Sequence, residues 1–494
     1  MRKLLFLLSV LLALQAIAQD IKWDVFEHEG VWYKILDEDA KTCKTRDGID
    51  YKSINEVSGD LILPETVKYE DKTYTLIEIG ESSFAGCKDL TSVTIPNTVT
   101  SIGYNAFIQC SGLTNMEIPN SVDAIGQNAF YECRNLKSIT LSSNLTSIED
   151  YTFCNCENLT TIEIPNSVTS IGECAFYNCT NLTNLHIPNS VTSIGGRAFM
   201  ECYSLTEIIL PNSLTSIEAE VFEVCTALKK VIIPNSVTSI GEVAFGGCSA
   251  LTSIEIPNSV ISIGRLAFTY CSALTDIIIP NSVTSIGEGA FTMCTGLTSV
   301  ELSNSLSAID RGTFQWCNAL TSIVLPNTII SIGEMAFAEC SSLTNIAIPT
   351  SVTSIRNSAF YNCGKLTSVY CHIAEPLAID ELTFTGAYAA TLYVPEGTKE
   401  AYSNAPYWQN FANIVDNLPN DGAGIDDISA DGYAVKAVAG GIEVEAPADA
   451  KVRVINISGV TVSETTAPGH IDLPAGIYIV TIDGTSIVRK VAVK

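Results

Sequence analysis

The stretch Ile164 to His186 reads IPNSVTSIGECAFYNCTNLTNLH and places two thiols, Cys174 and Cys179, close in sequence to an imidazole, His186. Thiolate and imidazole are zinc ligands, and a thiol beside a base is the usual start of nucleophilic chemistry. The spacing supports neither. Tetrahedral zinc sites draw on clustered ligands such as C-x-x-C pairs, whereas the nearest approach in the chain is Cys154-Asn155-Cys156. The four histidines, His28, His186, His372 and His470, are widely scattered. A serine or cysteine nucleophile needs a base within hydrogen-bond reach, and no G-x-S-x-G stretch marks such a site. The many carboxylates have solvation as their ordinary role. The expectation is no catalytic residue, no metal and no cofactor.

A fixed period accounts for the same residues. Phenylalanine recurs at one constant interval from Phe84 through Phe107, Phe130 and Phe153 to Phe360, at 13 positions, without insertion or deletion. Thirteen cysteines follow in step from Cys87 to Cys363, and 13 leucines from Leu90 to Leu366. The 23-residue unit is I-P-N-S-V-T-S-I-G-x-x-A-F-x-x-C-x-x-L-T-x-I-x. Cys179 is therefore a ladder residue, Cys174 occupies a variable turn slot, and His186 falls on a strand. The ladder thiols are expected to be buried and to act as small packing groups. An odd number of them cannot pair completely. Pairing among Cys43, Cys154, Cys174 and Cys371 stays open, since a disulfide needs Cα atoms about 4.4–6.8 Å apart.

A unit this short cannot bury its own apolar face, so neighbouring units must stack into a solenoid with a continuous core. L-T-x-I-x-I alternates and stops at Pro, which reads as a short parallel strand. Pro-Asn-Ser makes a turn, V-T-S-I-G a second extended piece, and x-x-A-F-x-x-C fits about one helical turn on the opposite side. Ser142 and Ser303 stand where other units have Pro. At about 4.8 Å per stacked strand, the 13 units predict a sheet about 60 Å long.

The segment IPNSVTSIGEVAFGGCSALTSIEIPNSV, Ile233 to Val260, resembles the leucine-rich repeats of the BspA-like family of bacterial surface proteins. The resemblance covers Gly59 to Ile373. It implies a curved, β-rich leucine-rich repeat solenoid and, for some members, adhesion to host matrix proteins such as fibronectin or fibrinogen.

The flanks set the domain boundaries. Residues 1–18 combine Arg2 and Lys3, an apolar run from Leu4 to Leu14, and small residues at Ala16 and Ala18, the pattern of a secretory signal peptide cut after Ala18. Beyond it no apolar run approaches a membrane span. Residues 19–58 alternate aromatic and polar groups and predict a β cap, followed by the solenoid at 59–373. Residues 374–416, with Tyr402, Tyr407, Trp408 and Phe411, break the period and predict an aromatic C-terminal cap. Residues 417–432 read as a polar linker. Residues 433–494 form short alternating runs that predict a small β-sandwich. This last part resembles the C-terminal sorting domain of the type IX secretion route through Val452 to Gly459, LPAGIYIV and KVAVK. It departs from that family at DGYAVKAV, where a Tyr-Pro-Asn-Pro type motif would stand. The implied location is secreted or on the cell surface, associated with the outer membrane.

The net charge of -27 becomes -29 without the signal segment, which holds two bases and no acid. Binding to nucleic acid or anionic lipid begins with Lys and Arg replacing counterions, so neither is an expected partner. A protein ligand is. Core positions are fixed by packing, so specificity must lie in outward strand positions. Alternation points two such lanes to solvent, and the candidate binding residues in them are His186, Glu207, Ile209, Lys230, Ile232, Glu255, Asp276, Ile278, Glu301, Val324 and Tyr370. Ile209, Ile232 and Ile278 stand out as apolar groups on a solvent face. The reading is a non-enzymatic surface protein that binds proteins as an adhesin. The alternative is an envelope protein, structural or glycan-associated, that uses the solenoid as a rigid spacer.

Overall fold

The computed structural model describes residues 24–49, 52–53, 55–418, 434–438, 441–445, 451–456, 461–466, 469–473, 476–482 and 488–493. The signal segment and nearly all of the linker lie outside the described residues. Internal contacts divide the chain into two units, Met1–Val415 and Asp416–Lys494. No helix among the described residues is long and apolar enough to cross a membrane.

The first unit is a β-solenoid, and one turn shows how it is built. Strand Thr161–Glu163 points Ile162 inward between two exposed residues. Pro165 accepts a hydrogen bond from Val168 N–H at 3.0 Å and closes the turn. Strand Ser170–Ile171 follows, then the segment around Phe176, then a tight turn in which Leu182 N–H reaches Cys179 O at 3.0 Å. The next strand, Asn184–His186, pairs with the first in parallel, Thr161 opposite Asn184 and Glu163 opposite His186. Equivalent side chains thus lie directly over one another, and the inward set forms one apolar core through the unit.

The side opposite the first strand differs from the expected helical turn. It is a pair of linked turns with left-handed residues two before and two after each phenylalanine, such as Tyr151 (φ 56°) and Asn155 (φ 60°). The reason lies in the hydrogen bonds. Tyr151, Phe153 and Asn155 donate their N–H groups to Glu173, Ala175 and Tyr177 of the next turn at 2.8–2.9 Å, while Cys154 and Cys156 bond back within their own turn. An α-helix would spend every donor on itself. A stacked turn must export alternate donors, and the left-handed residues re-aim the chain to do so, at about 1–2 kcal/mol each for a residue other than glycine.

The phenylalanines stack face to face from Phe84 to Phe360, with ring centroids 5.3–5.6 Å apart and planes within 18° of parallel. Beside them the ladder cysteines do more than fill volume. From Cys110 to Cys363 each thiol donates to the carbonyl of the phenylalanine 26 residues earlier, at 3.0–3.3 Å. All 17 cysteines are buried free thiols, Cys174 in its variable turn slot included.

The stack is closed at both ends. Strand Val31–Asp37 runs antiparallel to both Val25–His28 and Thr42–Thr45. The last pairs in parallel with Lys72–Ile79, which in turn pairs with Ser101–Ile102 of the solenoid. At the far end the parallel sheet continues past residue 373 through Thr391–Tyr393 and Asn413–Val415, for about 15 turns in all. Phe384 carries the ring stack one step further, 5.0 Å from Phe360. Phe411 and Trp408 then pack on it at 5.1 and 5.5 Å. The polar ends of the cap's aromatic groups are satisfied, with Trp408 Nε1 donating to Leu377 O at 2.8 Å and Tyr402 Oη to Ile373 O at 2.7 Å.

The second unit contains two antiparallel sheets. One joins Ala434–Val438, Gly441–Glu445 and Gly469–Asp472; the other joins Thr461–Thr465, Val452–Asn456, Gly476–Ile482 and Val488–Val493. Ile442, Val444, Val452, Val454 and Val480 are buried in this unit.

Burial holds the ladder thiols protonated, with Cys225, Cys294 and Cys363 pushed up to about 12 from 9.0. Unfolded thiols ionise near 9 while the folded ones keep their protons, so stability falls as pH rises through that window. The expected loss is about 1.4 kcal/mol per pH unit for each such thiol above pH 9, measurable by urea unfolding between pH 8 and pH 11. In native buffer at pH 8 iodoacetamide should leave the ladder thiols unmodified, and in denaturant all 17 cysteines should react. Replacing Phe222 by Ala is expected to cost about 3–5 kcal/mol in the same unfolding assay, the range for a buried aromatic truncated to a cavity.

Candidate binding surface

Both outward lanes of the strand face lie where alternation puts them. His186, Glu207, Ile209, Lys230, Ile232, Glu255, Asp276, Ile278, Glu301 and Val324 are exposed. Tyr370 departs from this pattern. It is half-buried, its ring stacked on Tyr393 at 4.9 Å, because the sheet continues beyond it. Ala347, in the same lane, is buried.

The apolar cluster has a definite shape. Ile209 and Ile232 are direct cross-strand neighbours, 53% and 41% exposed. Glu255 separates them from Ile278, which faces Glu301 across the next pair. Strand pairing lapses at residues 253–255 and again at 322–324, the turns that carry Glu255 and Val324. In the adjacent lane Lys230 Nζ pairs with Glu207 Oε1 at 2.7 Å. Both groups are well exposed, so the pair is worth at most about 1 kcal/mol.

The concavity lies in the polar part of the lane. A groove of roughly 670 Å³ opens over Thr140, Glu163 and His186, with Ser138, Thr161 and Pro165 at its sides. Glu163 and His186 are cross-strand partners at its floor. Hydroxyls, a carboxylate and an imidazole above buried isoleucines suit the polar side chains of an extended segment. No group of His, Cys, Asp and Glu among the described residues could hold a metal ion.

Two features escape a reading by period alone. Thr140 and Glu163 line the groove, but conformity to the repeat hides them. Ile261 and Ile330, 53% and 51% exposed, stand in an outward lane beside the second strand, with Thr284 and Ser307 on the turns between them. There the sequence does carry a signal, Ile replacing Thr in V-T-S-I.

The BspA type leucine rich repeat region, in six copies, matches residues 67–179, 146–275, 261–390 and 308–414. A leucine-rich repeat protein from Bacteroides ovatus is 26% identical with a TM-score of 0.59, over 78% of this chain and 97% of its own. A leucine-rich cell surface protein from Faecalibacterium prausnitzii is 30% identical with a TM-score of 0.42, over 70% of this chain and 94% of its own. No curated protein matches.

Replacing Ile209, Ile232 and Ile278 together by Thr should leave the fold intact, each change costing no more than about 0.5 kcal/mol at an exposed strand position. Thermal unfolding followed by circular dichroism checks this, and a drop beyond that range would show that the three side chains serve packing.

Proposed function

This chain belongs to the BspA type leucine-rich repeat family, and on that premise we propose that it is a non-enzymatic, surface-displayed protein whose strand face binds other proteins. The observation that carries the reading is the division of labour in each turn. Inward positions repeat Ile, Val, Phe, Cys and Leu, whereas the two outward strand lanes vary in charge, size and polarity. Variation confined to solvent-facing positions on a rigid array supplies many weak contacts in register, and affinity grows with the number engaged. The groove over Thr140, Glu163 and His186 receives polar side chains, and Ile209, Ile232 and Ile278 supply apolar contacts along the same face.

In this reading the partner is a host or matrix protein, and the chain acts as an adhesin. The signal-like segment at 1–18 directs export, and the C-terminal unit serves in delivery to the cell surface.

Surface plasmon resonance of the full chain over immobilised fibronectin and fibrinogen tests the adhesin reading. Saturable binding is expected, with His186→Ala and the triple Ile→Thr variant each weakening it at least tenfold. Undiminished binding by both variants would move the interface off the strand face. Absence of binding to either protein would remove the matrix-adhesin reading.

A further inference from the structure

The turn side of the solenoid carries a second surface, built from the left-handed position two residues after each phenylalanine. In the earlier turns this position holds Gln109, Glu132, Asn155, Asn178 and Glu201; over the next five it holds Val224, Gly247, Tyr270, Met293 and Trp316; then it returns to Glu339 and Asn362. The backbone requires positive φ there throughout. Asn and Gly meet that requirement at little strain, yet Tyr270 (φ 60°), Met293 (φ 63°) and Trp316 (φ 63°) meet it with bulky side chains. Tyr270 is 56% exposed and Trp316 38%. Neither burial nor backbone preference accounts for large aromatic groups at these two sites, and exposed aromatic faces gathered in one lane mark an interaction surface.

The spacing and the charge indicate what that ligand is. Tyr270 and Trp316 sit two turns apart, on turns whose successive core rings are 5.4 and 5.5 Å apart. Two steps of the stack are roughly 10 Å, and two sugars of an extended β-1,4-linked glycan span a similar distance. In a chain of net charge -27 this lane is uncharged from Val224 to Trp316. In the neighbouring slot Arg265 pairs with Glu242 and Arg311 with Glu334, and the carboxylate of Glu288 stands on the turn between them. Two residues further along each turn lie exposed hydroxyls, Ser249, Ser272 and Thr295. Aromatic faces in an uncharged lane, flanked by hydroxyls and with both neighbouring arginines already paired, suit a neutral ligand that is apolar on its ring faces and polar at its edges.

We propose that Tyr270, Met293 and Trp316 form a platform for an extended, neutral β-1,4-linked polysaccharide. The platform is independent of the strand-face reading. The test titrates the full chain with hexasaccharides of β-1,4-linked glucose, mannose and N-acetylglucosamine, following tryptophan fluorescence and heat, with the α-1,4-linked glucose hexamer as control. Saturable binding of at least one β-linked probe over the control is expected. In the double variant Tyr270→Asn/Trp316→Asn, affinity should fall at least tenfold while the thermal midpoint holds or rises, because Asn is well tolerated at positive φ.

Absence of binding to all three β-linked probes overturns the proposal, as does equal binding of the control or undiminished binding by the double variant. A lowered thermal midpoint in that variant would assign the two rings to folding. If sedimentation shows a wild-type dimer that the double variant abolishes, the ridge is a contact between copies of this chain and the glycan reading falls.

Discussion

The hydrogen bond from Phe153 N–H to Ala175 O recurs in every turn, from Phe84 to Phe360, at 2.8–3.0 Å without a gap. It constrains everything around it. Because each bond spans to the next turn, it fixes the register of neighbouring units, so the rings must stack. Because it uses the phenylalanine N–H and not its neighbours' donors, the chain must reverse twice per turn through left-handed residues. Between Phe360 and Phe384 the step is one position longer than the period, yet the acceptor, Thr383 O, is still the residue before the next ring, so bond and stack survive the added residue.

The thiol ladder follows from the same arrangement. The phenylalanine carbonyl accepts the N–H of the cysteine three residues on, as Phe107 does from Cys110 at 3.1 Å, and has a second lone pair facing the core. The thiol of Cys133 fills it at 3.2 Å. A buried carbonyl without that partner would be under-satisfied, and a hydroxyl would bring a stronger donor with a larger desolvation cost into an apolar core. Cysteine supplies a weak donor of small volume. That role needs one thiol per turn, which explains an odd ladder with no disulfides.

Much of this was legible in the sequence, for a physical reason. A 23-residue period without slips leaves one way to bury Ile, Val, Phe, Cys and Leu together, and strand alternation then fixes which residues face out. Tyr370 escaped that logic because its exposure depends on the next strand, Thr391–Tyr393, which lies beyond the regular array. The double turn was hidden because Phe and Cys three apart share a face on a helix and on a pair of turns alike. The residues that tell the two apart are the left-handed ones, and their identities vary freely from Tyr151 to Arg197 to Leu266. The groove was hidden because its lining comes from successive turns, Ser138 to Leu141 on one, Thr161 to Asn166 on the next and His186 on a third, and no single unit contains it.

The strand face and the turn side contribute unequally to the stack, and that inequality bears on where function can evolve. Strand pairing lapses at 253–255 and 322–324, yet at those same turns Phe245 and Phe314 still reach Ala267 and Ala336 at 2.8 and 2.9 Å. Continuity at those turns is carried by the turn side together with the second strand, where Ser262 pairs with Ser239 and Ser285, and Ser331 with Ala308 and Ser354. A substitution on the strand face that weakens one pairing does not break the array, because the neighbouring turn remains held by its exported amide, its stacked ring and its thiol. Outward strand residues can consequently change with little effect on folding, as the lane from His186 through Ile209 and Ile232 to Val324 does. On the turn side, where the backbone itself is demanding, a departure from Asn or Gly toward Tyr and Trp works against local preference. What sets Tyr270 and Trp316 apart from the freely varying left-handed residues of other turns is that both present an exposed aromatic ring in one lane.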